Sequence, residues 1–188
     1  MVRIALFASG SGSNVENIAN YFKGSKTFSI STVFVNNPKA GVIERCNRLG
    51  LDYFVFNKSD FYDKTNVIDQ LQKSSDAIVL AGFLWKVPIN LIQNYPNKII
   101  NIHPALLPKY GGKGMYGMNV HKAVKENKET ESGITIHYVN ENYDEGAIIF
   151  QAKTLISLSD KPEDIAQKIH QLEYKHFPRI IEKTLSNG

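Results

Sequence analysis

Short apolar runs alternate with longer segments of helical period along this chain, and this alternation constrains its fold more than any other feature. Such a pattern is typical of βαβ units around a mainly parallel sheet. Strands are predicted at Arg3–Ala8, Ile30–Val35, Tyr53–Phe56, Ala77–Ala81, Lys98–Ile102, Gly133–Val139 and Ile148–Leu155. Helices are predicted at Asn14–Lys23, Gly41–Leu49, Phe61–Lys73, Pro88–Asn94, Val120–Glu126 and Glu163–Leu185.

A polar segment, residues 140–146, separates the last two predicted strands and is too short for a crossover helix, so a hairpin is expected and the sheet becomes mixed. The predicted fold is an α/β domain with an open, twisted, mainly parallel sheet and helices on both faces. One apolar stripe is expected in the last helix, at Ile165, Ile169, Leu172, His176 and Ile180. Pro178 is expected to kink that helix or to end it early.

Length, charge and cysteine content narrow the class of protein. A chain of 188 residues fits one domain, predicted to span residues 1–188. The net charge is +4, but the basic residues are scattered rather than gathered in a stripe, so nucleic acid is not expected as a partner. The single cysteine, Cys46, fits a reducing cytoplasm. The longest apolar run, Ala77–Trp85, is too short for a membrane span, and no signal peptide is expected.

The segment Ser9-Gly10-Ser11-Gly12-Ser13-Asn14 follows the first predicted strand and opens the first predicted helix, which Ser13 or Asn14 is expected to cap. In such a turn, free backbone N–H groups and the positive end of the helix dipole bind phosphate. A dinucleotide site would have a glycine in place of Val15 and an acidic residue in place of Asn36. A single phosphate is therefore favoured over NAD, and a tight turn without a ligand is the alternative.

The segment Asn101-Ile102-His103-Pro104 stands at the carboxyl end of the fifth predicted strand. Alternation along a strand puts Asn101 and His103 on the same side, where an amide donor and an imidazole can face one reacting centre. This pair suits acyl-type chemistry, in which Asn101 donates to an oxyanion and His103 exchanges a proton. Asp144, in the predicted hairpin, adds a carboxylate that can orient the imidazole. The alternatives are a structural histidine and an ordinary Asp-containing turn.

The segment Ala81–Val87 follows the fourth predicted strand, and its apolar side chains line a slot for a flat ring or pack in the core. The glycine turn, the Asn101–His103 segment and this segment all stand at the carboxyl ends of strands, where open α/β sheets bind ligands. The remaining histidines lack the spacing of a metal site, so no metal is expected. No pattern for a covalent nucleophile is present in the sequence.

Several of these segments together resemble one family. They are Phe7–Asn14, Leu80–Phe83, Asn101–Tyr110, Asp144-x-Gly146 and Gln151-Ala152. In this order, and over essentially the whole chain, they resemble the phosphoribosylglycinamide formyltransferases, folate enzymes of purine biosynthesis. The resemblance implies a Rossmann-like formyltransferase fold. It also implies transfer of a formyl group from 10-formyltetrahydrofolate to the amine of glycinamide ribonucleotide, which gives formylglycinamide ribonucleotide and tetrahydrofolate.

The resemblance also implies which residues bind the two substrates. The backbone at Gly12, Ser13 and Asn14 would hold the phosphate of glycinamide ribonucleotide, and Glu173 would contact its ribosyl or glycinamide part. The pterin of the folate would lie between the loop at residues 140–144 and a second group of residues, Leu84, Trp85, Lys86 and Val87. Lys64 stands where the family usually has an arginine that contacts the folate. Lysine keeps the positive charge but lacks the planar guanidinium that can form two parallel hydrogen bonds.

By the same resemblance Asn101, His103 and Asp144 would form the catalytic set, and Asn101 would also contact the folate. The amine would attack the formyl carbon directly, while Asn101 and a protonated His103 stabilise the oxyanion and Asp144 supports the imidazolium. The loop Gly111–Asn119 is rich in glycine and is expected to become ordered on binding. A monomer or a homodimer is expected.

Three other functions are weighed against this one. A methionyl-tRNA formyltransferase would carry a carboxyl-terminal RNA-binding domain, and a formyltetrahydrofolate deformylase would carry a preceding regulatory domain; neither extra domain is expected here. The deformylase, a hydrolase, stays an alternative, which release of formate without an acceptor amine would indicate. A binding module for phosphorylated metabolites, in which the Asn, His and Asp residues are only structural, is the non-enzymatic alternative. It would bind glycinamide ribonucleotide but would form no product.

Overall fold

Seven strands form one sheet in the computed structural model, which describes residues 1–186. They are β1 (Val2–Ala8), β2 (Phe28–Val35), β3 (Tyr53–Val55), β4 (Ala77–Leu80), β5 (Ile99–His103), β6 (Glu131–Tyr138) and β7 (Ile148–Leu155). Their spatial order is β3-β2-β1-β4-β5-β6-β7. Strands β1 to β5 are parallel to one another, whereas β6 is antiparallel to both β5 and β7. The predicted open, mixed sheet is confirmed.

The helices of the described chain are α1 (Ser13–Phe22), α2 (Val42–Leu49), α3 (Lys58–Tyr62), α4 (Asn66–Ser74), α5 (Ile89–Asn94), α6 (Met118–Glu126) and α7 (Pro162–Ser186). The single helix predicted over Phe61–Lys73 is wrong, because two short helices occupy this region. A capping box starts α3 early: Asn57 Oδ1 accepts a hydrogen bond from Asp60 N at 3.0 Å, and Asn57 N donates to Asp60 Oδ2 at 3.2 Å.

Helix α7 continues through Pro178 to Ser186, so the expected early end is wrong. Proline removes the hydrogen bond that the carbonyl of Tyr174, four residues earlier, would otherwise accept. In this fold Asn17 Nδ2 of α1 donates to that carbonyl at 3.1 Å. The lost bond within α7 is therefore replaced by a bond between two helices.

The buried stripe of α7 also differs from the predicted one. It follows a spacing of four residues, through Ile165, Ile169, Glu173, Phe177 and Ile181. Leu172, His176 and Ile180 are only half-buried at its edge. The stripe therefore carries one buried carboxylate, and because charged groups are rarely buried without partners, Glu173 points to a functional role.

Two apolar clusters lie on opposite faces of the sheet. Alternate residues of β1 divide between them, with Ile4 and Leu6 on the side of α1 and α7, and Ala5 and Phe7 on the side of α4 and α5. A strand buried on both faces explains why β1 is a continuous apolar run. Helices therefore cover both faces, as predicted. None of the helices within residues 1–186 is both long and apolar enough to cross a membrane.

Strand order brings the predicted functional segments together. Strands β1, β4 and β5 are neighbours and parallel, so their carboxyl ends meet at one edge of the sheet. The loops after β1 and β4 are joined directly, since Ser9 N donates to Gly82 O at 3.1 Å and Leu84 N donates to Ser9 Oγ at 3.0 Å. The glycine turn and the apolar segment after β4 thus form one wall.

Candidate active site

A cavity of about 490 Å³ opens at this edge of the sheet. It is lined by segments from five parts of the chain: residues 10–14, 80–87, 101–104, 112–117 and 137–144, together with His170 and Glu173 of α7. The predicted site residues that line it are Gly12, Ser13, Asn14, Leu84, Trp85, Lys86, Val87, Asn101, His103, Asp144 and Glu173. Lys64 is not brought to this cavity.

His103 lies at the end of β5 and has only 4% of its surface exposed. Its Nε2 donates to the carbonyl oxygen of Tyr110 at 2.7 Å, since a carbonyl can only accept. Its Nδ1 lies 3.5 Å from Asp144 Oδ2. Asp144 Oδ2 also accepts a hydrogen bond from Gly112 N at 2.9 Å. The predicted imidazole and carboxylate therefore face each other, although they are distant along the chain.

Burial is the main influence on the charge of His103, and it lowers the pKa of this histidine below its usual value. The carboxylate of Asp144 and the carbonyl of Tyr110 offset part of that effect. Burial alone would raise the pKa of Asp144, but its interactions with His137, His103 and the Gly112 N–H outweigh burial and lower it. The surroundings therefore favour the uncharged imidazole of His103 and the carboxylate form of Asp144.

Asn101 is oriented by His137, a residue that the sequence analysis did not select. His137 Nδ1 donates to the carbonyl oxygen of Tyr138 at 2.8 Å, since a carbonyl can only accept, and Nε2 is the ring nitrogen that faces Asn101. Asn101 Nδ2 lies 3.2 Å from that nitrogen and donates to it. The amide group has a second hydrogen, which is free to donate to a ligand.

His137 also lies near the carboxylate, with Nε2 at 3.7 Å from Asp144 Oδ1. It enters the site because β6 pairs with β5 and puts His137 directly opposite Asn101. Alternation within β6 indicates which side His137 faces, but the identity of the neighbouring strand is a tertiary property. A search for polar residues on the strand paired with β5 would have found it.

The glycine turn, residues 10–14, also lines the cavity. Gly12 precedes α1 with φ 78°, and a side chain at this position would collide with Val42 of α2. Neither Ser13 nor Asn14 caps the helix, contrary to expectation, and α1 has no side-chain cap. The first N–H groups of α1 therefore keep their hydrogen-bonding capacity for an anion.

Glu173 lies beside this turn and is 5% exposed. Its Oε2 accepts from Asn14 Nδ2 at 3.0 Å and faces His170 Nδ1, also at 3.0 Å. That contact is the main reason why the pKa of His170 is raised. Asn14 Oδ1 is buried and has no hydrogen-bond partner in the described chain. A buried acceptor without a partner, on a residue that lines the cavity, fits a ligand that supplies a donor.

The part of the cavity lining formed by the segment after β4 and by Tyr143, here called the aromatic wall, is aromatic and partly basic. Tyr62 O–H donates to Lys86 O at 2.9 Å, which fixes the loop after β4. Lys86 Nζ lies 5.9 Å from the ring centre of Tyr143, and both residues line the cavity. Lys64, by contrast, is exposed, and its Nζ lies 3.5 Å from Asp60 Oδ1.

The glycine-rich loop contributes residues 112–117 to the lining of the cavity. Gly112, Gly114 and Gly117 have φ values of 93°, 90° and 52°, a region that residues with side chains rarely adopt. Its contacts with the site are made by the Tyr110 carbonyl and the Gly112 N–H, which hold His103 and Asp144. The expected ordering of this loop on binding stays a prediction.

Comparison with known proteins agrees with this geometry. A family model described as formyl transferase matches residues 2–181. The chain belongs to the formyl transferase family. Phosphoribosylglycinamide formyltransferase of Bacillus subtilis (strain 168) is 37% identical to this family member over 191 residues, which cover 98% of this chain and 95% of the relative. The family predicted from the sequence is confirmed.

A longer relative and a solved structure belong to the same group. Chloroplastic phosphoribosylglycinamide formyltransferase of Arabidopsis thaliana is 38% identical over 186 residues, which cover 95% of this formyl transferase and 64% of the plant protein. The chain therefore spans less than two thirds of that relative. The crystal structure of glycinamide ribonucleotide transformylase 1 from Geobacillus kaustophilus has a TM-score of 0.87 and 33% identity, with 96% of this chain and 97% of that chain covered. The predicted formyltransferase fold is confirmed.

Proposed function

We propose that this formyl transferase family member transfers the formyl group of 10-formyltetrahydrofolate to the amine of glycinamide ribonucleotide. The observation that carries the proposal is the single cavity that joins the Asn101, His103 and Asp144 cluster to a free helix N-terminus. The names of the relatives point to the same acceptor and to purine biosynthesis. A hydrolase and a binding module are not favoured, because those relatives are transferases.

Glycinamide ribonucleotide is proposed to bind along the turn and α7. Its phosphate would accept hydrogen bonds from the backbone N–H groups of Gly12, Ser13 and Asn14, where the helix dipole favours a negative charge. Glu173 would accept from the ribose hydroxyls or the glycinamide part, and its burial strengthens such bonds. This placement directs the amine toward the catalytic cluster at the other end of the cavity.

The folate is proposed to occupy the aromatic wall. Its pterin would lie between the loop at residues 140–144 and the segment formed by Leu84, Trp85, Lys86 and Val87, all of which line the cavity. Asn101 borders both proposed substrate positions. Lys64 is left out of the proposed contacts, since it is directed to Asp60 outside the cavity.

The proposed reaction is a direct transfer. The amine nitrogen forms a bond to the formyl carbon, and the formyl oxygen becomes an oxyanion that accepts a hydrogen bond from the free N–H of the Asn101 amide. The bond from the formyl carbon to N10 of the folate then breaks, and one proton of the attacking amine passes to N10. His103 accepts that proton from the amine as the oxyanion forms and gives it to N10 as the bond to the formyl carbon breaks. Between the two transfers Asp144 stabilises the positive charge of the imidazolium across 3.5 Å.

Both ring nitrogens of His103 already have partners in this structure. Donation of a hydrogen bond from Nε2 to the oxyanion therefore requires the bond to the Tyr110 carbonyl to be shared or released. Tyr110 adjoins the glycine-rich loop and has φ 58° itself. The lowered pKa of His103 fits a group that is charged only in the course of the reaction.

The test is a spectrophotometric assay for deformylated folate with and without glycinamide ribonucleotide, together with a measurement of released formate. Strict dependence on the acceptor and no formate would support the transfer. Formate release without the acceptor would replace it with hydrolysis, and binding of the acceptor without any product would replace it with a binding module. Cytoplasmic location, consistent with the buried free thiol of Cys46, and a monomeric or homodimeric state remain predictions.

A further inference from the structure

Helix α2 holds the glycine turn from outside the cavity. Val42 N donates to the carbonyl oxygen of Gly10 at 3.0 Å, and Arg45 Nε donates to the carbonyl oxygen of Ser11 at 2.8 Å. Two successive carbonyl groups of the turn are therefore bonded to α2. This matters because a carbonyl oxygen directed into the cavity would repel a phosphate.

The planarity of the peptide bond converts these two contacts into control of two N–H groups. In a trans peptide the C=O and the following N–H point in opposite directions. The Val42 bond to Gly10 O therefore directs the N–H of Ser11 away from α2, and the Arg45 bond to Ser11 O does the same for the N–H of Gly12. Both residues line the cavity. Arg45 thus controls the direction of one anion-binding N–H group without touching the ligand.

Arg45 is itself held in place by Glu16 of α1. Its Nη1 forms an ion pair with Glu16 Oε2, while Arg48 Nη2 lies 2.7 Å from Glu16 Oε1. Glu16 balances the charge of Arg45, so the contribution of Arg45 to the turn is orientation rather than positive charge. The fork of a guanidinium is needed to join the Ser11 carbonyl and the Glu16 carboxylate at the same time.

We propose that Arg45 is a positioning residue for the phosphate of the acceptor substrate, a role that rests on the proposed function. It is not a catalytic residue, since it does not line the cavity. Arg48 offers a matched comparison in the same helix: it shares the Glu16 carboxylate but has no hydrogen bond to the turn.

The test compares Arg45→Met, Arg45→Lys and Arg48→Met as full-length proteins. For Arg45→Met we expect the KM for glycinamide ribonucleotide and its Kd by calorimetry to rise about tenfold, the size of effect typical of one hydrogen bond from a charged donor. The KM for 10-formyltetrahydrofolate should change less than about twofold, and kcat should fall less than about threefold. Arg48→Met should leave all three values within about twofold.

A competitor without phosphate separates orientation of the turn from general damage. The dephosphorylated riboside of glycinamide should inhibit wild type and Arg45→Met with inhibition constants that agree within about twofold. Equal losses for the riboside and the ribonucleotide, or equal losses in Arg45→Met and Arg48→Met, would overturn the proposal. Thermal unfolding checks that the variants fold. If Arg45→Met is unfolded, Arg45→Lys replaces it, and unchanged acceptor affinity in that variant would also overturn the proposal.

The same measurements distinguish this role from the proposed function. Wild-type protein that neither binds glycinamide ribonucleotide nor uses it as an acceptor would reject the function. Wild-type protein that does both, with unchanged acceptor affinity in the Arg45 variants, would reject only the positioning role.

Discussion

The replacement Asp144→Asn tests whether the charge of this carboxylate supports His103. Asp144 Oδ2 lies 3.5 Å from His103 Nδ1, and both residues are largely buried. At an effective dielectric constant of about 20, two unit charges at that separation attract each other by about 5 kcal/mol. Partial access of water to Asp144 reduces this value, so we expect the transition state to lose about 3 kcal/mol of stabilisation. That loss corresponds to a fall in kcat of roughly 10²-fold.

Asparagine is the replacement that changes the loop least. Asp144 has φ 57°, a conformation that asparagine tolerates better than most residues. The amide oxygen of asparagine can still accept the Gly112 N–H bond, which is 2.9 Å in the wild type. Loss of charge is therefore separated from loss of structure, and the thermal unfolding midpoint should change little.

The assay follows deformylated folate by absorbance at saturating concentrations of both substrates. Glu145→Gln is the matched control, because Glu145 is exposed and adjacent in the same loop. It should keep kcat within about twofold of wild type. If folded Asp144→Asn retained more than half of the wild-type kcat, the proposed support of the imidazolium by Asp144 would be refuted.

Three other outcomes are expected. His103→Ala should lower kcat by roughly 10²–10⁴-fold and leave the protein folded; near-normal turnover would contradict its role. Burial lowers the pKa of His121 from 6.5 to about 4. Between these two pH values the unfolded chain binds more protons than the folded protein. The free energy of unfolding should therefore fall by up to about 3 kcal/mol as the pH drops through this interval. Urea unfolding at about pH 7 and about pH 4.5 should show a smaller loss for His121→Asn than for wild type; equal losses would exclude His121 as the cause. Asn17→Ala should destabilise the protein by about 1 kcal/mol through the lost bond to Tyr174 O, without changing kcat, whereas an unchanged unfolding midpoint would show that this bond is unimportant.

Local sequence was sufficient for the strands and most of the helices. The apolar run at β1 is continuous because both its faces are covered, and that pattern is readable without a structure. Two helix predictions failed, one because of a partner distant in the chain and one because of a local motif that the prediction missed. Pro178 did not end α7, since Asn17 satisfies the carbonyl that proline leaves free, and the capping box at Asn57 divided one predicted helix into two.

The amino-acid sequence by itself determined the fold class and the chemical groups of the site, because hydrophobic period, turn residues and short motifs are local properties. Only the tertiary structure decided which of those groups meet. Pairing of β5 with β6 brought His137 to Asn101, the four-residue spacing in α7 buried Glu173 beside the glycine turn, and the position of α3 left Lys64 at the surface. Distances between side chains depend on strand order, register and helix packing, which arise from contacts far apart along the chain.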